Sequence, residues 1–338
     1  MTPWSDRVFV IAEAGVNHNG NLDRALALVD AAAEAECDAV KFQTFRASAL
    51  AAKSAEMASY QKTNTQRAES QQDMLRRLEL SDADHLALRQ RARERGLLFF
   101  STAFDSPSLE FLQSLDIPLW KIPSGEITNL PYLKRVAAMG KPVILSTGMA
   151  TLAEIDEAVS ALLAHGLQRQ RLAILHCTTD YPTQWQHVNL RAMQSLASAF
   201  GTAIGYSDHT LGGEISVAAV ALGARVIEKH FTLDRELPGP DHRASLEPQE
   251  LAAMVAQIRH VEQALGDGLK RPTEPEIQNR RVARKSIVAG RAIHRGEVFS
   301  EDMLTVKRPG TGISPMHWDA VIGRTASHNF EADELIQW

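Results

Sequence analysis

Ile204-Gly-Tyr-Ser-Asp-His-Thr-Leu-Gly-Gly213 runs from apolar residues into polar and ionisable ones, and Val226-Ile-Glu-Lys-His-Phe-Thr232 repeats this pattern. A segment of helical character lies between them, which predicts neighbouring parallel strands whose C-terminal ends open on one face. That arrangement would bring His209 and His230 together, with Glu228 beside them. Two imidazoles and a carboxylate at one mouth indicate a divalent metal site, and a structural role at the strand ends is the alternative.

The same alternation extends over residues 1–265 of the chain. Short apolar runs predict strands at 8–12, 39–43, 97–102, 119–124, 142–147, 172–177, 203–207 and 226–231. Helical patterns follow them, beginning with residues 21–36 and ending with residues 248–265. Eight strands, each followed by a helix, predict a closed (β/α)8 TIM barrel. The polar segment 46–80 lacks strand signals, so we expect it to form an excursion on the mouth side.

Polar residues stand at or near the ends of the predicted strands. They are Glu13, Lys41, Thr102, Lys121, Ser124, Ser146, His176, Ser207, His209, Glu228 and His230. Contact with water would explain serine and threonine there, but it does not explain lysines and glutamates within apolar runs. A barrel collects such side chains on one rim, whereas an open doubly wound sheet collects them at a switch point. We therefore expect an active site at the C-terminal rim of a barrel.

The chain after residue 265 has a different character. Residues 266–282 begin with Gly266-Asp-Gly-Leu-Lys-Arg-Pro-Thr-Glu-Pro275, a composition typical of a linker. Residues 283–338 hold short β-like pieces and many turns, which predict a small, mostly β domain. A domain of this size has little core of its own. We therefore expect it to pack on another surface, for which the barrel mouth of a partner subunit is a candidate.

Composition excludes several classes of protein. The chain has 338 residues, of which 44% are hydrophobic, and this suits a globular protein with one large and one small domain. A net charge of −5 argues against nucleic acid as a partner. Apolar runs stay well below the roughly 20 residues of a membrane span, and residues 1–7 do not begin a signal peptide. Cys37 and Cys177 have no metal-type spacing and indicate free thiols, hence a cytoplasmic protein.

Seven ordered motifs resemble those of the sialic acid synthase family. They are Ile11-Ala-Glu-Ala-Gly-Val-Asn-His-Asn-Gly20, Val40-Lys-Phe-Gln-Thr44, Lys121-Ile-Pro-Ser-Gly-Glu126, Leu145-Ser-Thr-Gly-Met149, Gly205-Tyr-Ser-Asp-His-Thr210, Glu228-Lys-His-Phe-Thr232 and Gly239-Pro-Asp-His242. The tail, with Lys307-Arg-Pro-Gly310, resembles the C-terminal antifreeze-like (SAF, β-clip) domain of that family. One motif alone would be weak, but seven in order across nearly the whole chain are specific.

The resemblance implies a reaction. Members of the family condense phosphoenolpyruvate with an N-acylated mannosamine-type sugar and water, giving a nonulosonic acid and phosphate. N-acetylmannosamine, which yields N-acetylneuraminate, is the expected sugar. The alternative is 2,4-diacetamido-2,4,6-trideoxymannose, the precursor of legionaminic acid. The motif Gly239-Pro-Asp-His242 is similar to the pattern of these two branches and less similar to that of the pseudaminic branch.

The resemblance also implies roles for individual residues. His209 and His230 match the ligands of a divalent metal, most often Mn²⁺, with Mg²⁺ or Co²⁺ as alternatives. Phosphoenolpyruvate would be held by hydroxyls and lysines, namely Thr102, Lys121, Ser124, Ser146 and Ser207, with Lys41 as a further cation. Glu13, Tyr181, Glu228 and Asp241 match positions that face the sugar. Arg308 matches an arginine that enters the active site of the other subunit in a domain-swapped homodimer.

Two points stay open within the resemblance. The family reaction needs a group that takes a proton from water, and either Glu13 or Glu228 could do so. Glu228 is slightly favoured because it lies beside a predicted ligand. In addition, Thr179-Asp180 stands where several family members have Asn or Ser, and an ionised Asp180 cannot donate to phosphate. We therefore leave Thr179 and Asp180 out of the predicted site.

Other functions are compatible with a barrel. Lys41 and Lys121 end barrel strands, as a Schiff-base lysine of an aldolase would. That chemistry would leave the hydroxyls and the histidine pair without a purpose. A non-catalytic sugar-binding protein is the third candidate, and the set of charged strand ends argues against it.

Overall fold

The computed structural model describes residues 2–65 and 69–337, and eight parallel strands in it close into a barrel in chain order. The strands are β1 (Phe9–Gly15), β2 (Ala39–Thr44), β3 (Leu98–Ala103), β4 (Trp120–Ile122), β5 (Val143–Ser146), β6 (Leu172–Cys177), β7 (Ala203–Asp208) and β8 (Val226–His230). Strand β8 pairs with β1 and completes the ring. The predicted (β/α)8 TIM barrel is confirmed.

Helices follow the strands. They are α1 (Leu22–Glu34), α2 (Ala47–Leu50), α3 (Ser59–Thr65), α4 (Gln71–Leu78), α5 (Asp82–Glu94), α6 (Ser106–Ser114), α7 (Leu130–Ala138), α8 (Leu152–Ala164), α9 (Ala192–Phe200), α10 (Glu214–Ala221) and α11 (Pro248–Leu265). Capping boxes start α5 at Ser81 with Asp84, and α8 at Thr151 with Glu154. In each box the side chains satisfy backbone N–H groups that the first helical turn leaves free. Within the described ranges, no helix has the length and apolar character needed to cross a membrane.

The main core lies between the strands and the outer helices. Ile11 and Val40 in the strands and Leu28 in α1 are fully buried. Strands covered on both faces are apolar almost throughout, so ionisable residues concentrate near their C-terminal ends. This pattern positions the functional groups at one end of the barrel.

A second, smaller core joins the segment that was predicted as a polar excursion to residues that follow barrel strands. Its buried members are Val16, Phe45, Met57, Met74 and Leu78, with Leu50, Leu75 and Phe104 partly buried against them. Three of these residues directly follow β1, β2 and β3. Helices α2 and α4 are therefore attached to the C-terminal end of the barrel by apolar packing.

The chain divides into two compact units, Met1–Gly266 and Asp267–Trp338. The second contains α12 (Glu274–Ala283), β9 (Ser286–Ala289), β10 (Leu304–Lys307) and α13 (Trp318–Val321), with β9 and β10 antiparallel. Helix α12 occupies much of the segment predicted as a linker. Its start was visible in the sequence as Thr273 three residues before Glu276, which form a capping box.

The second unit has its own core. It consists of Ile287, Ala289, Ile293, Phe299, Leu304, Ile313, Val321, Ala326, Phe330 and Ile336. The expectation that this domain has little core of its own is therefore wrong. Apolar residues that stand singly between many turns do not form a periodic pattern, which is why this core was not predicted from the sequence.

Candidate active site

The polar strand ends, His176 excepted, line one cavity of about 160 Å³ at the C-terminal end of the barrel. His176 lines a different cavity, and its Nε2 donates to the Val188 carbonyl at 2.7 Å. The walls of the first cavity include the predicted residues Glu13, Lys41, Thr102, Lys121, Ser124, Ser146, Tyr181, Ser207, His209, Glu228 and His230. Strand register explains their convergence, because Glu13 aligns with Lys41 on one side and with His230 on the other. In the same way, Ser207 aligns with Glu228.

Four buried ionisable side chains alternate in charge across this cavity. Lys41 Nζ lies 2.7 Å from Glu13 Oε2 and 3.8 Å from Glu228 Oε2. Lys121 Nζ lies 3.3 Å from Glu228 Oε1, which also accepts a hydrogen bond from Ser207 Oγ at 3.2 Å. Each lysine therefore has a carboxylate partner, and such partners offset the cost of burying a charge.

The two glutamates differ in pKa because their neighbours differ. Burial raises the pKa of Glu13 to about 7; Lys41 opposes this rise, and the Glu228 carboxylate adds to it. Burial also acts to raise the pKa of Glu228, but Lys121 and Lys41 outweigh it and hold the pKa at about 2. Glu228 is thus a fixed anion, and its carboxylate is committed to two lysines and Ser207. The arrangement favours Glu13 as the group that exchanges a proton, opposite to the slight preference drawn from the sequence.

Hydroxyl groups form another wall of the cavity. Thr102 Oγ1 accepts from Lys41 Nζ at 2.9 Å, and Ser124 Oγ accepts from the Gly148 backbone N–H at 2.9 Å. A Cβ at Gly148 would come within 2.9 Å of Ser124 Oγ and of Thr179 Oγ1, so a side chain there would crowd these hydroxyls. Ser146 Oγ is buried and finds no hydrogen-bond partner among the described residues. Free hydroxyls beside two lysines suit a phosphate or carboxylate group.

His209 and His230 face each other, with ring centroids 5.5 Å apart. His209 Nδ1 donates to the Thr178 carbonyl at 2.6 Å, which leaves the lone pair on Nε2. His230 Nδ1 is buried and has no hydrogen-bond partner within the described ranges. Burial lowers the pKa of His209 to about 4 and moves the pKa of His230 in the same direction, so both rings are neutral near pH 7.

This donor set fits a divalent cation. Neutral imidazoles are the form that binds metals. Among the described residues, no three His, Cys, Asp or Glu side chains come together as a metal-binding group. An ion held by two histidines alone would have its other positions open to water and substrate oxygens, which is typical of catalytic sites.

A second cavity of about 290 Å³ lies beside the first, and Tyr181 and Asp241 both line it. Tyr181 stacks on His209 at a centroid distance of 4.1 Å, and Tyr181 and His230 line both cavities. Asp241 lines the second cavity, and burial raises the pKa of its carboxyl to about 7. Asp241 is therefore near the predicted sugar site but not on the wall of the first cavity.

Some lining residues were missed by sequence reasoning. Gln43 is the penultimate residue of β2, Cys177 is the last residue of β6, and both line the first cavity. Their place near strand ends was therefore an available signal. Phe104 gave no signal because it is apolar. Thr179, which had been set aside, lines the cavity, whereas Asp180 is not among the described lining residues.

Arg308 belongs to the second unit. Its side chain is exposed, and Nε donates to the Ala283 carbonyl at 3.1 Å, at the end of α12. Its predicted role in the site of a partner subunit stays a prediction.

Comparison with known proteins identifies the class. Residues 28–270 match the model of the NeuB family, and residues 284–338 match that of the SAF domain. The chain belongs to the NeuB family, that of the sialic acid synthases and related nonulosonic acid synthases, and carries the SAF domain that its tail resembled.

Individual relatives refine this similarity. The chain is 51% identical to the N,N'-diacetyllegionaminic acid synthase of Campylobacter jejuni, over 98% of this chain and 99% of the relative. It is 47% identical to the enzyme of the same name from Legionella pneumophila, over 98% and 93% of the two chains. A crystal structure of N-acetylneuraminic acid synthetase from Leptospira borgpetersenii is similar with a TM-score of 0.71 and 36% identity, over 81% of this chain and 90% of that one.

Proposed function

We propose that this protein condenses phosphoenolpyruvate with 2,4-diacetamido-2,4,6-trideoxymannose and water, giving N,N′-diacetyllegionaminic acid and phosphate. The observation that carries the proposal is a single buried cavity in which two lysines, a wall of hydroxyls and two neutral histidines meet. Relatives at 51% and 47% identity bear the name of the legionaminic acid enzyme, which favours this sugar. N-acetylmannosamine, the sugar first expected, is the second candidate, and the 36% identical sialic acid synthetase favours it.

Lys41, Lys121 and the hydroxyls of Thr102, Ser124 and Ser146 hold the phosphate and carboxylate of phosphoenolpyruvate. Lysines and hydroxyls on rigid strands bind such an anion and fix its orientation. His209 and His230 would hold a divalent cation, for which we propose Mn²⁺. When bound, that ion polarises the aldehyde of the open-chain sugar as a Lewis acid.

The bond changes follow from this placement. C3 of phosphoenolpyruvate forms a bond to the aldehyde carbon as the π bond of the aldehyde breaks. The electron pair of that π bond leaves an alkoxide on the aldehyde oxygen, and positive charge develops at C2. Water adds at C2 and gives up a proton to Glu13, whose carboxylate has one lysine within ion-pair distance among the described residues. The fixed negative charge of Glu228 favours the cationic C2. The C2–O bond to phosphate then breaks, and phosphate leaves with the bonding electron pair. The C2 hydroxyl becomes the ketone and gives its proton to the leaving phosphate, and the proton held by Glu13 passes to the alkoxide.

The assembly and location that we propose come from the family resemblance. Arg308 would complete the sugar site of a partner subunit in a domain-swapped homodimer. A cytoplasmic location agrees with Cys37 and Cys177, which are both buried free thiols.

Phosphate release from phosphoenolpyruvate, measured with each sugar in turn, tests the proposal. We expect turnover with the diacetamido sugar, a loss of turnover in chelator and recovery with Mn²⁺. No release with either sugar would contradict the proposed function. A covalent adduct trapped by borohydride with pyruvate would instead favour the Schiff-base aldolase.

A further inference from the structure

The cavity of about 290 Å³ lies beside the catalytic cavity and shares part of its wall. Gln43, Phe104, Tyr181 and His230 line both cavities. A substrate whose aldehyde lay beside His230 would therefore extend its far end past Tyr181 into the second cavity, which we call the distal chamber.

One wall of the distal chamber is apolar. Phe45, Met74 and Leu78 are buried members of the small core formed by the segment that contains α2 and α4. Leu50, Leu75 and Phe104 are partly exposed members of that core, and all three line the chamber. The ring of Phe45 meets that of Phe104 edge to face at 6.4 Å, which holds both aromatic rings in place.

The remaining polar lining consists mostly of amides. Gln43, Gln61 and Gln71 line the chamber together with Asp241. An amide offers both a donor and an acceptor, and this combination pairs with an acetamido group, which offers the same two. A methyl group beside such an amide needs an apolar surface, which Leu50 and Leu75 supply.

The two candidate sugars differ at the far end from the aldehyde. N-acetylmannosamine carries hydroxyls at C4 and C6, whereas the diacetamido sugar carries an acetamido group at C4 and a methyl group at C6. A hydroxyl placed against Leu50, Leu75 and Phe104 would lose its bonds to water without gaining others. The methyl groups of the diacetamido sugar would instead bury apolar surface there.

We propose that the distal chamber binds the 4-acetamido group and the C6 methyl group, and that Leu50 and Leu75 determine which sugar is used. This inference rests on the proposed function and assigns its sugar specificity to particular residues. Neither residue touches the reacting atoms, so the effect is on sugar choice and not on the chemistry of phosphoenolpyruvate.

The test replaces each leucine by an amide of nearly the same shape, in Leu75→Asn and separately in Leu50→Asn. One apolar group in such a pocket discriminates by about 10-fold or more. We expect the ratio of kcat/KM for the diacetamido sugar to that for N-acetylmannosamine to fall by about 10-fold in either variant. The KM for phosphoenolpyruvate should not change. Leu86→Asn is the matched control, because Leu86 lies on α5 and is 51% exposed.

Circular dichroism establishes that each variant is folded. Because two variants are made, the test can still be carried out if one of them does not fold. A ratio that stays at the wild-type value in both folded variants overturns the assignment while the proposed function stands. An equal loss of kcat/KM with both sugars also overturns the assignment, because the chamber would then bind a group that the two sugars share. If the wild-type enzyme releases phosphate with neither sugar, the proposed function fails and the chamber assignment fails with it.

Discussion

Glu13 and Glu228 are the same residue type at the ends of neighbouring strands, yet burial and neighbours separate their pKa values, to about 7 and about 2. Their place in the site could be predicted from the sequence, because both interrupt apolar runs at strand ends. Which of the two glutamates has the higher pKa could not be predicted, since this depends on how many lysine nitrogens lie within 4 Å of each carboxylate. That number is set by side-chain geometry across four strands and not by local sequence.

Asp241 gives a prediction at this scale. Burial raises its pKa to about 7, so the carboxyl loses its proton as the pH rises through that value. The ionised form accepts hydrogen bonds from sugar hydroxyl and amide groups, so the KM for the sugar should fall as the pH rises through about 7. The KM for phosphoenolpyruvate should not follow this change. Steady-state kinetics across this range measure both constants.

The control for this prediction is Asp241→Asn, which cannot ionise. Its KM for the sugar should be high and independent of pH over the same range. A wild-type sugar KM that does not vary with pH, or an unchanged pH dependence in Asp241→Asn, would exclude Asp241 as the titrating group.

At the scale of elements, the barrel was predictable because the hydrophobic residues of each strand and helix follow a local pattern in the sequence. The distal chamber was not. Leu50, Met74 and Leu75 lie in short helices of a polar segment, and the small core that they form with Val16 and Phe104 joins residues far apart in the chain. Helix α12 carried a local signal at Thr273, but the Gly and Pro residues before it indicated a linker more strongly.

A buried ion pair joins β7, β8 and α10 behind the histidines. Lys229 Nζ lies 3.0 Å from Asp208 Oδ2 and donates to the Thr210 carbonyl at 2.6 Å, and both side chains are fully buried. Asp208 also accepts from Thr210 Oγ1 and from Ser216 Oγ, each at 2.7 Å. The pair immediately precedes His209 in one strand and His230 in the other. It therefore holds the two strand ends together below the predicted metal site.

We expect Lys229→Met to destabilise the barrel by about 3–5 kcal/mol, because it leaves the Asp208 charge buried without a partner. Mn²⁺ binding, measured by calorimetry on the folded fraction, should weaken as well. Lys62→Met is the control: Lys62 pairs with Glu56 at 2.8 Å on the surface, and such pairs contribute about 1 kcal/mol or less. Equal urea midpoints for the barrel transition in the two variants would contradict the role given to the buried pair.

At the scale of the whole molecule, the predicted dimer can be tested by mixing inactive subunits. Glu228→Gln removes the fixed anion of the barrel site, and Arg308→Ala removes the arginine predicted to act in the partner. In a heterodimer of the two, one of the two sites would be fully wild type, so partial activity should return. Phosphate release after mixing measures it, and fluorescence energy transfer between labelled subunits verifies exchange. A mixture that exchanges but stays inactive would exclude the shared site.

Each of the two units has a hydrophobic core of its own, and this has a consequence for folding. Chains built in this way do not generally unfold in a single all-or-none step. Heating can therefore melt the domain of residues 267–338 and the barrel at separate temperatures. The first melting temperature would then describe only the less stable unit. The integrity of the catalytic cavity must therefore be measured with a probe located in the barrel.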